Sequence, residues 1–137
     1  MAKIGKKQLE TLCSQALKAR EVSYAPYSGF RVGAALLAKD GQVFTGCNIE
    51  NGAYSPSMCA ERVAFAKAVS GSCREFAAIA VAGGAADTPD DYCPPCGVCR
   101  QVMAEFCGPD FLIILVKSPV EYKTYAFSEI LPLAFKL

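Results

Sequence analysis

Two short stretches of this chain hold residues that could do chemistry together. "SPSMCAERVAF", Ser55 to Phe65, sets Cys59 two residues before Glu61, and "PPCGVC", Pro94 to Cys99, presents Cys96 and Cys99 as a Cys-x-x-Cys pair. Both stretches stand where a helix is expected to begin. Helix starts offer free N–H groups and partial positive charge, which favour thiolate over thiol. Three such thiolates could converge on one metal ion. Zinc suits sulfur ligands, and three protein ligands leave a fourth tetrahedral position for water, as catalytic zinc sites do. A closed structural site would need a fourth ligand. With no histidine in the chain that ligand would be another cysteine, and the nearest, Cys93, has no matching partner pair. A thioredoxin-like redox pair would account for Cys96 and Cys99 but would leave Cys59 and Glu61 unexplained. On a helix, positions i and i+2 point about 200° apart, so Glu61 is not placed to ligate beside Cys59. Near a helix start it could instead reach the water and move its proton. A first-turn Glu that only complements the helix dipole is the plainer alternative.

The elements that must position these residues follow from periodicity and turn signals. Residues 6–22 carry Leu9, Leu12, Cys13, Ala16 and Leu17 at helical spacing and end before the turn-rich "YAPYSG". "RVGAALLAKDGQVFTGCNI" gives two apolar runs around Lys39-Asp40-Gly41, a β-hairpin signal. A second helix is expected from about Ser57, as N-cap, to Val69, closed by Gly71. "FAAIAVAGG" reads as a third strand, and a third helix starts near Pro95 and runs to Gly108. "FLIILV" and "VEYKTYAF" supply the last strands, and "SEILPLAF" a short final helix or turn. The order α-β-β-α-β-α-β-β with short connections predicts one mixed sheet with helices on both faces.

The composition narrows the function classes. At 137 residues, 53% hydrophobic and 20% charged, the chain has the balance of one domain able to bury a core. A net charge of +1 with scattered Lys and Arg gives no basic face for nucleic acid. "MAKIGKKQLETLCSQAL" lacks an apolar run of about 7 to 15 residues and a cleavage site, so no export signal is expected. "FLIILV" is far shorter than the roughly 18 residues of a membrane helix. Eight cysteines in such a domain point to metal ligation by a clustered subset, and the remaining ones are expected to be small buried hydrophobes.

"CAE" followed by "PCGVC" resembles the zinc deaminase signature in its three-cysteine variant. The motifs "PYSGFRVGAAL", "GCNIENGAYS", "CAERVAFAKAV", "PPCGVCRQVMAEF" and "EILP" extend the resemblance across nearly the whole chain, to the small homotetrameric cytidine deaminases of pyrimidine salvage. The resemblance implies a three-layer α-β-α fold of the α/β class with a central mixed five-stranded sheet, one domain over residues 1–137. It further implies one Zn²⁺ per chain, a nucleoside substrate, no nucleic-acid or membrane partner, a homotetramer and a cytoplasmic location. The implied reaction is zinc-dependent hydrolytic deamination of cytidine and deoxycytidine to uridine and deoxyuridine with release of ammonia. Position by position, Cys59, Cys96 and Cys99 match the zinc ligands and Glu61 the proton shuttle. Phe30 matches an aromatic that packs on the pyrimidine, Asn48 and Glu50 a pair that hydrogen-bonds the ribose, and the backbone at Ala60 and Pro95 lies against the base. Tyr54 and Phe135 match residues of subunit-shared sites, and Arg62 is the cation expected to offset the thiolate charge. Gly29 departs from the pattern, standing where a basic residue is common, and the pattern stops at Leu137 without a longer tail. Rival assignments are an aminonucleoside-antibiotic deaminase such as blasticidin deaminase and a non-enzymatic zinc-binding module. A nucleic-acid-editing deaminase would be expected to use a His ligand and a basic channel.

Overall fold

The structure, a computed structural model, describes residues 4–137, so the first three residues of the N-terminal stretch read for an export signal lie outside it. The chain runs α1 (Lys6–Arg20), β1 (Arg31–Ala38), β2 (Val43–Cys47), α2 (Ala60–Ser70), β3 (Phe76–Gly84), α3 (Gly97–Phe106), β4 (Leu112–Val116), β5 (Tyr122–Ala126) and α4 (Phe127–Ile130). The sheet order is β2-β1-β3-β4-β5. β1 pairs antiparallel with β2 and β3, β3 pairs parallel with β4 through the α3 crossover, and β5 returns antiparallel to β4. The mixed sheet expected from the element order is therefore present, with helices on both faces.

Alternation along the strands creates two cores. Ala35, Leu37, Ala78, Ala80, Ala82, Ile114 and Val116 face Leu12, Cys13 and Ala16 of α1. Ala34, Leu36, Ile79, Val81, Ile113 and Leu115 face Ala60, Ala64, Phe65, Cys99 and Met103 of α2 and α3. Strands covered on both faces read as nearly unbroken apolar runs, as β1, β3 and β4 do. β5 lies on an edge and keeps Lys123 and Thr124 exposed, which discourages pairing with a further strand.

The hairpin forms as expected, with Leu37 opposite Val43 and Gly41 at φ +95 in the turn, a conformation that favours glycine. At Gly46 the chain has no room for a side chain. A Cβ there would fall inside van der Waals contact of Ala60 O and Ala64 N, so β2 draws the first turn of α2 directly onto the sheet.

Two helix starts differ from expectation. α2 begins at Ala60 and not near Ser57, and its N-cap is Cys59. The reason is a pair of backbone bonds. Ile49 N donates to Met58 O and Met58 N to Ile49 O, both at 2.9 Å, which holds Met58 extended against the strand side. The Ser57 hydroxyl consequently accepts from Asn51 N at 2.9 Å and does not cap the helix. α3 likewise begins at Gly97, with Pro95 ahead of it and Cys96 as the N-cap. α1 ends at Arg20, two residues short of the expected end, and "SEILPLAF" contributes only the single turn of α4 before an extended tail. Among the described residues no helix is long and apolar enough to cross a membrane.

Candidate active site

The two corrected helix starts bring the chemistry together. Cys59 and Cys96 are both N-cap residues with extended backbone, ψ 153 and ψ 168, so each thiol sits at the positive end of its helix. Cys99 lies in the first turn of α3, 1% exposed, beneath the other two. The three Sγ atoms lie within 4.8 Å of one another, and Cys59 Sγ is 3.7 Å from Cys96 Sγ. Tetrahedral zinc with Zn–S bonds of about 2.3 Å has sulfur–sulfur edges of about 3.8 Å. The cluster therefore has the spacing, the soft donors and the ligand number of a three-cysteine zinc site. Among the described residues no fourth cysteine joins the cluster, which separates it from a closed structural site.

The electrostatics set Cys59 apart. Cys59 is lowered to about 5, first by a hydrogen bond from the Cys99 thiol and further by Arg62 and Cys96. Cys99 is pushed the other way, because it donates to Cys59 and is buried. Arg62 Nη2 lies 3.6 Å from Cys59 Sγ and 3.2 Å from Ser57 O, so the expected cation does face the cluster. Burial is the leading cause at both Cys13 and Cys107 and raises these thiols to about 11 and about 12. These two are small core residues, as expected; Cys47, Cys73 and Cys93 depart from that expectation, being only half-buried, with Cys93 in the cavity wall.

Glu61 is 4% exposed, and burial lifts its carboxyl to about 7 while the Cys99 thiol works against the rise. It belongs to the first turn of α2, one residue beyond the N-cap's neighbour, and lines the same cavity as Cys59 and Cys96. Its i+2 relation to Cys59 places it to the side of the cluster and not in it, as the helical geometry predicts.

The cavity has a volume of about 490 Å³, within the range of small-ligand pockets. Asn48, Glu50, Tyr54, Cys59, Ala60, Glu61, Arg62 and Cys96 line it, all of them expected from the sequence. Val32, Met58, Cys93, Pro94 and Val98 line it as well. Of these, Val32 could have been found as the next residue on the Phe30 side of β1, and Cys93 and Pro94 by their closeness to Cys96. Phe30 and Pro95 are not part of the lining. Phe30 is 43% exposed, and Pro95 is buried with its carbonyl accepting from Arg100 Nε at 2.8 Å. Phe135 stands apart on the exposed C-terminal tail, its carbonyl tied to Gln101 Nε2 at 3.0 Å.

Asn48 and Glu50 are held from two sides. Asn48 Oδ1 accepts from Val32 N and its Nδ2 donates to Phe30 O, both at 2.8 Å. Glu50 accepts from Tyr27 N at 2.9 Å, Ser28 N at 3.1 Å and Ser28 Oγ at 2.5 Å. The Ser28 hydroxyl above all keeps this carboxyl below its ordinary range. These bonds aim both side chains at the cavity and at the same time shape the loop before β1. Tyr54 is 80% exposed at the mouth and takes φ 63, a left-handed conformation that a tyrosine rarely adopts.

Comparison with known proteins places this geometry in context. A family model described as the cytidine and deoxycytidylate deaminase zinc-binding region matches residues 6–115. The chain is 50% identical over 127 residues to the cytidine deaminase of Sporosarcina psychrophila, covering 93% of this chain and 90% of that protein. It is 49% identical over 126 residues to the cytidine deaminase of Halalkalibacterium halodurans, covering 92% of each. Among solved structures, the cytidine deaminase of Burkholderia pseudomallei superposes with a TM-score of 0.83 at 44% identity, covering 91% of this chain and 97% of that one.

Proposed function

The chain belongs to the cytidine and deoxycytidylate deaminase zinc-binding family, and from that premise we propose that it deaminates cytidine and deoxycytidine hydrolytically to uridine and deoxyuridine, releasing ammonia. The observation that carries this is the meeting of three clustered thiols and one buried carboxyl at two helix starts, with Cys59, Cys96 and Glu61 opening onto one cavity. Cys59, Cys96 and Cys99 would hold the zinc, one ion per chain. When bound, zinc supplies the Lewis acidity that brings ionisation of a water within reach of neutral pH. Glu61 takes the proton of the attacking water on its carboxylate and passes it to ring N3 as the new C4–O bond forms. The same carboxyl then carries the second water proton to the departing amine, so ammonia leaves and the carboxylate is restored. Arg62 faces the Cys59 sulfur and offsets the negative charge of the thiolate set.

The remaining residues orient the nucleoside. Phe30, outside the lining of the isolated chain, would have to turn inward to pack on the pyrimidine, the backbone at Ala60 lies against the base, and Asn48 and Glu50 hold a ribose hydroxyl. One domain spans residues 1–137 and works in the cytoplasm in pyrimidine salvage. Four copies form a homotetramer in which Tyr54 and Phe135 reach a neighbouring subunit's site. Their exposure of 80% and 68% in the isolated chain supports that role. Sedimentation should report four chains per particle, and an active monomer would remove Tyr54 and Phe135 from any shared site.

Loss of cytidine absorbance with zinc-loaded protein tests the activity, and free cytosine tests the sugar contact. A carboxylate built to receive a sugar hydroxyl is left without its partner when the base arrives alone, so cytosine should be a very poor substrate. Glu50→Ala should lower kcat/KM for cytidine about 10-fold to 10³-fold and leave the slow cytosine rate nearly unchanged. Equal losses on cytidine and cytosine would assign Glu50 to the Tyr27–Ser28 loop alone.

A further inference from the structure

Arg20, the last residue of α1, is 3% exposed, and its guanidinium donates to four main-chain carbonyls. Nε reaches Arg31 O at 3.0 Å, Nη1 reaches Asp87 O at 2.8 Å, and Nη2 reaches Gly84 O at 2.5 Å and Ala86 O. Arg31 and Gly84 face each other at the end of the β1–β3 ladder, where two loops leave the sheet. The first loop departs at Arg20 and returns at Arg31. It carries Tyr27 and Ser28, which hold Glu50, and Phe30, whose carbonyl holds Asn48. The second departs at Gly84 and ends at the cap residue Cys96, carrying Cys93 and Pro94 of the cavity wall.

We propose that Arg20 is a positioning residue for the substrate cavity, a single side chain that closes the neck of the loop holding Asn48 and Glu50 and pins the start of the loop that carries Cys93 and Pro94. The proposal rests on the deaminase assignment above. Its physical basis is the shape of the guanidinium. A planar fork can serve four carbonyls in fixed directions, whereas an ammonium is a compact charge with three donors and no such geometry. Removing a donor leaves a buried carbonyl unpaired, and the loop must then shift to find water. The second loop is tied again farther along, where the Tyr92 ring faces Lys123 Nζ at 4.7 Å and Lys117 Nζ at 5.1 Å. Loss of the clamp should therefore misplace the walls without scattering them, so substrate binding suffers more than chemistry.

The test compares Arg20→Lys with Leu12→Ala, a buried α1 position on the other side of the sheet from the cavity. Cytidine turnover by the unmodified zinc-loaded protein comes first, and its absence would remove the deaminase assignment before any variant is judged. With turnover present, Arg20→Lys should raise KM for cytidine about 10-fold, with kcat within about threefold and zinc near one per chain. Leu12→Ala, at an equal or lower melting temperature, should leave KM within about twofold. A KM change in Arg20→Lys no larger than in Leu12→Ala would overturn the proposal. Should Arg20→Lys fail to fold, the unmodified protein decides. Coupling is reciprocal, so saturating uridine should slow exchange of the Arg20 Nε–H by about threefold or more. An exchange rate unmoved by uridine would overturn the clamp.

Discussion

Glu61→Gln is expected to keep its zinc and its fold and to lose on the order of 10²-fold to 10⁴-fold in turnover of cytidine, the range for a positioned acid–base group. Glutamine has nearly the same volume and sits in the same buried first turn, so the α2 packing around Ala60, Ala64 and Phe65 has no reason to change. What it lacks is a group that can gain and release a proton. The native carboxyl is poised for that exchange, since burial raises it to about 7, close to neutral pH. An amide also cannot accept the proton of the attacking water, so both proton transfers fail together and the loss falls on kcat. Zinc per chain and cytidine absorbance, measured on one preparation, separate the two properties. Near-normal activity with zinc bound would return Glu61 to the role of a carboxylate that complements its helix start.

Cys59→Ala should remove most of the bound zinc and with it the deamination above background. Three ligands are the minimum set of a catalytic zinc site, and two thiols leave the ion with no closed donor set. Cys59 is held toward the anionic form, lowered to about 5 by the Cys99 thiol and by Arg62. Its removal also strips Arg62 of the sulfur it faces at 3.6 Å. The helix start itself gains nothing from the cysteine side chain, which makes no capping hydrogen bond, so α2 should persist and the melting curve of the metal-free protein should change little. Metal analysis after gel filtration reads the outcome. One zinc per chain in Cys59→Ala would dismiss the site.

The metal cluster was legible from types and spacing because ligand chemistry is local. Two thiols at Cys-x-x-Cys spacing before an apolar helix, and a third before another, leave few arrangements in a chain without histidine. The hairpin and the mixed sheet were legible for a similar reason, since an Asp-Gly turn and continuous apolar runs are short-range signals. The helix starts were not. Ser57 has the chemistry of an N-cap, yet its hydroxyl is drawn to Asn51 N because Met58 pairs with Ile49, a contact between segments that local propensity cannot see. That shift makes Cys59 the cap of α2, and Cys96 caps α3.

The sequence by itself determined the donor set, the carboxyl beside it and the family to which they belong, because these depend on residue type and order alone. Tertiary structure decided which residues form the walls. Val32, Cys93 and Pro94 enter the cavity wall, while Phe30 and Pro95 stay outside it. It also decided that Arg20, an ordinary helix-end arginine in the sequence, sits 3% exposed on four carbonyls. Burial and orientation of this kind arise where segments distant in the chain meet, and the free energy of that meeting, in excluded water and satisfied carbonyls, belongs to no segment alone.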